Sequence, residues 1–252
     1  MATEVKIKEI FESIQGEGPF VGVNQLFIRF CGCNLNCEYC DTDFMAKDAE
    51  SYTTQSLVQK IKTEYDLNKI HSISLTGGEP LLNADFINKF ITELHTCHSE
   101  QSNKSPKKIF RTKSVPIFLS EGANLIYLET NATLTSELLK VKDKIDIISA
   151  DIKLPSSTGK DTFALHDEFL NNCNGIYTFA KIVFDQNINS GEICTCADLG
   201  KKYGIELILQ PKMNGKKMGI DNDFCQNIFN KFLKLYPNIR LIPQVHKFLN
   251  IR

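Results

Sequence analysis

Apolar and polar positions along the chain follow two periods in alternation. Short runs rich in β-branched and aromatic residues recur at 25–30 (QLFIRF), 71–75 (HSISL), 124–129 (NLIYLE), 145–150 (IDIISA), 178–184 (TFAKIVF), 205–210 (IELILQ) and 239–243 (IRLIP), and each predicts a strand. Between them, helical spacing marks 54–67, 83–96, 134–142, 162–172, 195–203 and 222–235. In 83–96 the residues Phe86, Ile87, Phe90, Ile91 and Leu94 share one helical face behind Asn83, which can cap it. Strands alternating with helices of this length predict an α/β fold built of βαβ units on a mostly parallel sheet. Right-handed crossovers then wind the sheet one way, into a barrel or an open twisted sheet.

One segment breaks the rhythm. Residues 99–123 contain Ser, Asn, Pro and Gly and carry Lys104, Lys107, Lys108, Arg111 and Lys113. They read as a basic surface loop inserted into a single domain spanning 1–252, either a solvated excursion or a docking patch for an acidic partner. No internal repeat and no interdomain linker stands out.

Composition narrows the class. With 42% hydrophobic and 23% charged residues and a net charge of −1, the chain matches a globular protein with a sizeable core and no overall basic footprint for nucleic acid. The opening MATEVKIKEIF lacks the apolar run of an export signal, and no stretch is apolar enough to cross a bilayer. Nine cysteines, an odd number, argue against a disulfide framework and for metal binding or reduced thiols. A cytoplasmic location is the corresponding expectation.

The run FCGCNLNCEYC sets Cys33, Cys37 and Cys40 in a C-x3-C-x2-C spacing directly after the first strong strand. Random placement of nine cysteines would give roughly 0.01 copies of that spacing, so chance explains it poorly. Thiolates favour iron–sulfur clusters or zinc, and closed structural sites usually take four protein ligands. Three cysteines without an obvious fourth suggest a cluster with one open metal position. Cys31 offers a fourth ligand, although residues two apart in an extended strand would crowd Cys33. Cys97, Cys173, Cys194, Cys196 and Cys225 are scattered and read as small buried thiols.

Polar motifs also close the next three strands: Thr76-Gly77-Gly78-Glu79-Pro80, Glu129-Thr130-Asn131 and Ser149-Ala150-Asp151-Ile152-Lys153. Strand ends of that sense are where parallel α/β folds bind ligands. In the first, glycine would let a ligand approach the backbone.

The cysteine spacing, with Tyr39 before the last thiol, resembles the radical S-adenosylmethionine (SAM) superfamily. The resemblance implies that Cys33, Cys37 and Cys40 hold three irons of a [4Fe–4S] cluster and that SAM chelates the fourth. An electron from the cluster then splits SAM to a 5′-deoxyadenosyl radical. The implied cofactor contacts are Tyr39, Asp41, Gly77, Gly78, Glu79, Thr130, Asn131, Ser149, Asp151 and Lys153.

Ile14-Gln15-Gly16-Glu17-Gly18, Gln25-Leu26-Phe27-Ile28-Arg29-Phe30, Cys40-Asp41-Thr42 and Leu241-Ile242-Pro243-Gln244-Val245-His246-Lys247 are similar to the 7-carboxy-7-deazaguanine synthase family. The likeness covers nearly the whole chain outside 99–123. It implies an incomplete (β/α) barrel, a homodimer, a Mg²⁺ ion on Thr42, and reduction by flavodoxin or ferredoxin. The implied reaction rearranges 6-carboxy-5,6,7,8-tetrahydropterin into 7-carboxy-7-deazaguanine. Its substrate would meet Ile14, Gln15, Gly16, Glu17, Thr76, Gln244, His246 and the terminal carboxylate of Arg252. Arg29, in a strand, suits the substrate carboxylate through its planar fork. Ala132 stands where that family commonly has Gly, which makes a positive φ there uncomfortable. The rivals are a glycyl-radical activating enzyme and a non-catalytic zinc or iron–sulfur module using Cys31. The first has no need of Gln15–Gly18, and the second none for polar motifs at successive strand ends.

Overall fold

The computed structural model describes residues 4–35, 46–99 and 124–251. The chain begins with β1 (Val5–Ile14), a 3₁₀ turn at Gly18–Phe20, and β2 (Asn24–Phe30). Then come β3 (Glu50–Tyr52), α1 (Thr54–Glu64), β4 (Ser72–Gly77) and α2 (Ala84–Ser99). After residues 100–123 the sequence continues as β5 (Leu125–Thr130), α3 (Thr135–Val141), β6 (Ile147–Ile152), α4 (Pro155–Thr158), α5 (Phe163–Asn171) and β7 (Tyr177–Phe184). It closes with α6 (Ser190–Tyr203), β8 (Glu206–Pro211), the hairpin β9 (Met213–Asn214) and β10 (Lys217–Met218), α7 (Asn222–Leu235), β11 (Ile239–Leu241) and α8 (Val245–Leu249).

One nine-stranded sheet runs in the order β11-β8-β7-β6-β5-β4-β2-β1-β3. From β2 to β11 every pairing is parallel, whereas β1 joins β2 and β3 antiparallel. The sheet ends on β11 and β3 without closing, so the (β/α) barrel is incomplete, as expected.

All seven expected strands form. Periodicity did not reveal the short strands β3, β9 and β10, nor β1, which is ten residues long. A register shift between Ile7 and Glu9 breaks its alternation, so Ile10 and Phe11 stand side by side and the period-two signal fades. Helix α6 starts at Ser190 rather than 195, because Asn189 and Glu192 form a reciprocal capping box that precedes the apolar spacing. Asn83 does not cap α2; it ends the 3₁₀ turn Pro80–Asn83 that leads into the helix. Phe86, Ile87, Phe90, Ile91 and Leu94 are buried on the expected face of α2. Cys173, Cys196 and Cys225 are buried thiols as expected, but Cys194 is exposed on α6. The basic insertion lies outside the described residues. Among those described, no helix is long and apolar enough to cross a membrane.

Two apolar bodies flank the sheet. The larger packs the helices against its outer face, with Leu57, Ile87, Phe90, Leu138, Phe169 and Phe232 nearly inaccessible. The smaller fills the inner face: Phe20, Leu125, Tyr127, Ile147, Phe179 and Ile208. Phe20, from the turn between β1 and β2, sets its ring edge-on to Tyr127 at 5.8 Å and to Tyr177 at 5.7 Å. Side chains two apart on a strand share a face. Above Tyr127 therefore stands Glu129; above Ile147, Ser149 and then Asp151; above Phe179, Lys181; above Ile208, Gln210. The aromatic layer floors the barrel and the polar layer lines what lies over it.

Candidate active site

Over that floor, at the C-terminal ends of the parallel strands, opens a cavity of about 530 Å³. β1, β2 and β4–β8 contribute to its wall, and α8 with its flanking residues covers one side through Gln244, His246, Lys247 and Ile251. The cover is tied down by Val245 N–H, which donates to Gly16 O at 2.9 Å.

Cys33 stands at the end of β2 and lines the cavity. Its sulfur accepts from Leu35 N–H at 3.4 Å and from Asn131 Nδ2 at 3.9 Å. Cys37, Tyr39, Cys40, Asp41 and Thr42 fall outside the described residues, as does Arg252, although its neighbour Ile251 reaches the cavity. Cys31 does not line it. The reason is not strand crowding: β2 ends at Phe30 and Gly32, at φ +85°, turns the chain between the two thiols.

The Gly77-Gly78-Glu79 turn requires correction on two points. Gly77, at φ +137°, lines the cavity, yet a Cβ there would lie 2.2 Å from Phe30 O. Glycine is thus demanded by the close approach of β2, whatever the cavity binds. Glu79 is fully buried and does not line the cavity. Its carboxylate accepts from Leu81 N (3.0 Å), Thr130 Oγ1 (2.8 Å) and Asn131 N (2.7 Å). It fastens β4 to the end of β5 and so sets Thr130 and Asn131. Glu79 N–H and Gly78 N–H donate to Gly32 O and Phe30 O, which locks the turn beside Cys33. Burial pushes the Glu79 carboxyl up to about 7, against those three donors and Lys153.

Beyond Asn131, Ala132 adopts φ +54°, the left-handed backbone that the missing glycine would have taken freely. His166, from α5, braces it. Lys153 N–H donates to His166 Nε2 at 3.0 Å, which leaves Nδ1 to carry the proton toward Ala132 O at 3.1 Å. Burial holds this ring near pKa 4, so it stays neutral and joins the ends of β5 and β6.

Ser149, Asp151 and Lys153 line the next strand end. Lys153 Nζ meets Asp151 Oδ2 at 2.7 Å, and Lys181 Nζ lies 3.8 Å from the same oxygen. Asp151 Oδ1 is buried without a hydrogen-bond partner. Lys181 also forms a close ion pair with Glu17, whose other oxygen accepts from Gln244 Nε2 at 2.6 Å. Burial alone would raise the Glu17 carboxyl, but Lys181, Gln244 and His246 hold it well below the carboxylate range. Lys181 is correspondingly pushed up by Glu17, Asp151 and Glu129 against the effect of burial.

Gln15 lines the cavity but serves its own chain. Nε2 donates to Gln25 Oε1 and Glu129 Oε1, both at 2.9 Å, and Oε1 accepts Glu17 N–H. Thr76 Oγ1 donates to the other Glu129 oxygen at 2.9 Å. Gly16 is pinned under His246, whose Nδ1 would sit 2.3 Å from an added Cβ. Ile14 lies at the rim, 41% exposed. Arg29 also lines the cavity, but it is neither deeply buried nor without a partner: Nε pairs with Glu9 at 2.7 Å and the guanidinium lies over the Phe11 ring at 5.7 Å.

The cavity also holds Glu129 of the second strand-end motif, and groups that no motif contained, chiefly Lys181 and Gln210, with Lys8, Lys212 and Lys247 toward solvent. A signal existed. Lys181 interrupts the apolar run TFAKIVF, and Gln210 ends LILQ at the height where β4–β6 carry their motifs.

The donor chemistry fits a cluster with SAM beside it. Cys33 supplies a thiolate at the cavity wall, and the unpartnered Asp151 Oδ1 offers an acceptor for a hydroxyl or ammonium donor. Among the described residues no group of three His, Cys, Asp or Glu side chains gathers to hold a metal. A model of the Radical SAM superfamily matches residues 27–183. The 7-carboxy-7-deazaguanine synthase of Archaeoglobus fulgidus is 32% identical over 97% of this chain and 97% of its own. Its namesake in Geobacter sulfurreducens is 31% identical over 97% and 96%. Among solved structures, QueE from Escherichia coli shares the fold at a TM-score of 0.60 and 17% identity, over 96% of this chain and 95% of that one.

Proposed function

The chain belongs to the radical SAM superfamily and, within it, to the 7-carboxy-7-deazaguanine synthases, and from that premise we propose that its cavity rearranges 6-carboxy-5,6,7,8-tetrahydropterin into 7-carboxy-7-deazaguanine, on the route to queuosine-type nucleosides. The observation that carries the assignment to this cavity is the ionised Glu17, held by Lys181 and Gln244 in the same enclosure as Cys33.

Cys33, Cys37 and Cys40 would hold the cluster, which together with SAM would supply radical chemistry for abstracting a hydrogen atom from the substrate. The remaining work falls to the chain. Asn131, Ser149, Asp151 and Lys153 would contact SAM from two neighbouring strand ends, alongside Gly77, Gly78 and Thr130. Glu17 would accept the amino and amide N–H groups of the pterin, a charge-assisted pair in an enclosed site. Gln15 and Lys181 hold Glu17 in place from its backbone and its carboxylate. Arg29, shared with Glu9, would receive the substrate carboxylate. The aromatic floor excludes water beneath the reacting ring. Thr42 would serve Mg²⁺ and the Arg252 carboxylate would approach the substrate's polar edge. The same family reading includes a homodimer in the cytoplasm and flavodoxin or ferredoxin as reductant.

The test is an anaerobic reaction of reconstituted protein with SAM, dithionite and the carboxylated tetrahydropterin, followed by mass analysis. Formation of 7-carboxy-7-deazaguanine is expected, with Arg29→Ala raising KM for the pterin and leaving SAM affinity unchanged. Release of 5′-deoxyadenosine without that product would assign the chain another radical SAM reaction.

A further inference from the structure

Strand pairing between β5 and β6 ends with Thr130 opposite Ala150. Beyond that rung the chains part: Asn131 and Ala132 leave β5, while β6 runs on to Ile152 beside β7. A side chain bridges the gap. His166 of α5 accepts from Lys153 N–H at 3.0 Å and directs Nδ1 to Ala132 O at 3.1 Å. The ring is 0% exposed and does not line the cavity. Burial keeps it neutral, so it offers one donor and one acceptor. The Thr162 hydroxyl lies 3.0 Å from Nε2, and the Phe163 ring stands edge-on at 6.5 Å. Packing alone would be served by phenylalanine. The two nitrogens are engaged by the backbone of two strand ends.

One of those ends is strained. Of the three described non-glycine residues at positive φ, Asp48 and Asn250 carry the short polar side chains that tolerate it, whereas Ala132, at +54°, does not. Two bonds oppose its relaxation: Ala132 N–H donates to Thr130 Oγ1 at 3.1 Å, and its carbonyl is held by His166. Relaxation of Ala132 to negative φ would reorient the chain at Asn131. Thr130 and Asn131 line the cavity, as do Asp151 and Lys153 across the gap. We propose that His166 is a positioning residue for SAM, holding Ala132 in the left-handed conformation and keeping the ends of β5 and β6 at one separation. This rests on the reading that those ends meet SAM. His166 acts only through the backbone, and its effect depends on Ala132 being a residue that resists positive φ. A glycine there would need no such hold.

The experiment uses anaerobically reconstituted enzyme carrying its cluster, as wild type, His166→Phe, His166→Gln, Ala132→Gly and the double variant Ala132→Gly with His166→Phe. Calorimetry measures SAM affinity well below every thermal midpoint, and a thermal scan measures stability. His166→Phe should bind SAM about 10-fold more weakly, the scale of one residue's left-handed strain. His166→Gln, which keeps a donor and an acceptor, should stay within about 3-fold of wild type. Ala132→Gly alone should change little, and in the double variant it should recover most of the lost affinity. KM for the carboxylated tetrahydropterin at saturating SAM should hold throughout. A lowered midpoint in His166→Phe with unchanged SAM affinity would make His166 a structural residue and overturn the inference. A loss of the same size in the double variant would overturn it as well, because the hold on Ala132 would not be the cause. Should His166→Phe not fold, the double variant is compared with Ala132→Gly: equal SAM affinity supports the inference, and a gap of about 10-fold overturns it. Asp151→Ala separates the inference from its premise. If that variant binds SAM like wild type, the strand ends do not meet SAM and the underlying reading fails. If it loses SAM while His166→Phe does not, the inference alone fails.

Discussion

Glu79→Gln should destabilise the protein at mildly acidic pH, and its cost should shrink as pH rises. The carboxylate receives two backbone N–H groups and one hydroxyl, with Leu81 N and Thr130 Oγ1 on one oxygen and Asn131 N on the other. An amide cannot satisfy this set. Whichever way it is turned, its NH₂ faces either Leu81 N–H or Asn131 N–H, and one buried donor is stranded. Such a donor costs about 1–3 kcal/mol. The pH dependence comes from the native carboxyl, which burial moves from 4.5 to about 7. A folded-state value above the unfolded one means that the protonated group fits the fold better. Stability from this source is complete below the unfolded value and is lost as pH rises through the folded one. That difference corresponds to about 3 kcal/mol at its full extent. The wild type therefore weakens between about pH 5 and pH 7.5, whereas the amide does not titrate. Urea midpoints of both proteins, measured anaerobically at pH 5.5 and pH 8, give the gap directly, and groups common to both cancel. A gap of equal size at the two pH values would show that the three donors keep Glu79 ionised throughout and that burial does not govern it. No gap at pH 5.5 would remove Glu79 as the fastener of β4 to β5.

Two further substitutions probe the cover and the thiols. Gly16→Ala places a methyl 2.3 Å from His246 Nδ1 and 2.6 Å from His246 Cβ, so α8 must shift; a loss of about 1–3 kcal/mol in thermal stability and a raised substrate KM are expected. His246→Ala in the same background should restore the stability, and failure to do so would place the strain elsewhere. Cys31→Ala should retain iron and sulfide after anaerobic reconstitution, while Cys33→Ala, Cys37→Ala and Cys40→Ala each lose them; a colourless Cys31→Ala protein would reinstate Cys31 as a ligand.

The parallel core was legible because burial leaves its strands apolar almost throughout. LIYLET of β5, for example, carries four buried apolar residues in succession, Leu125 to Leu128. What escaped was local. The bulge in β1 erased its alternation, and the first turn of α6 is specified by Asn189 and Glu192 rather than by apolar spacing. The cysteine run and the strand-end motifs drew attention to one end of the sheet, and residues from all four segments line one cavity there. The roles within that end were less legible. Glu79 lies in a motif that suggests ligand contact, yet three donors from its own chain claim its carboxylate. Gln15 is similarly claimed by Gln25, Glu129 and the backbone of Glu17. Spacing along the chain shows which residues meet, and only the hydrogen-bond inventory shows which of them have capacity left for a ligand.

The same inventory explains why Lys181 and Gln210 were missed. Each is one polar residue in an apolar strand, and a single departure from an apolar run carries little weight in a sequence window. Position changes that weight. On β5 to β8 the lower inward residue is aromatic or aliphatic: Tyr127, Ile147, Phe179 and Ile208. Two residues further on, every one of those strands turns polar, with Glu129, Ser149, Lys181 and Gln210. The four polar residues have almost no sequence pattern in common, but a barrel sets them at one height. The change from apolar to polar between adjacent inward positions marks where floor gives way to site. Counting two residues beyond the last inward aromatic or aliphatic side chain finds that height on β7 and β8 as well. The strand pairing itself fixes these positions, with Glu129 opposite Ser149, Asp151 opposite Lys181 and Val183 opposite Gln210. A ligand resting on the aromatic floor therefore meets groups fixed by backbone ladders, not by mobile loops, and this rigidity suits a reaction in which a reactive intermediate must be kept from water.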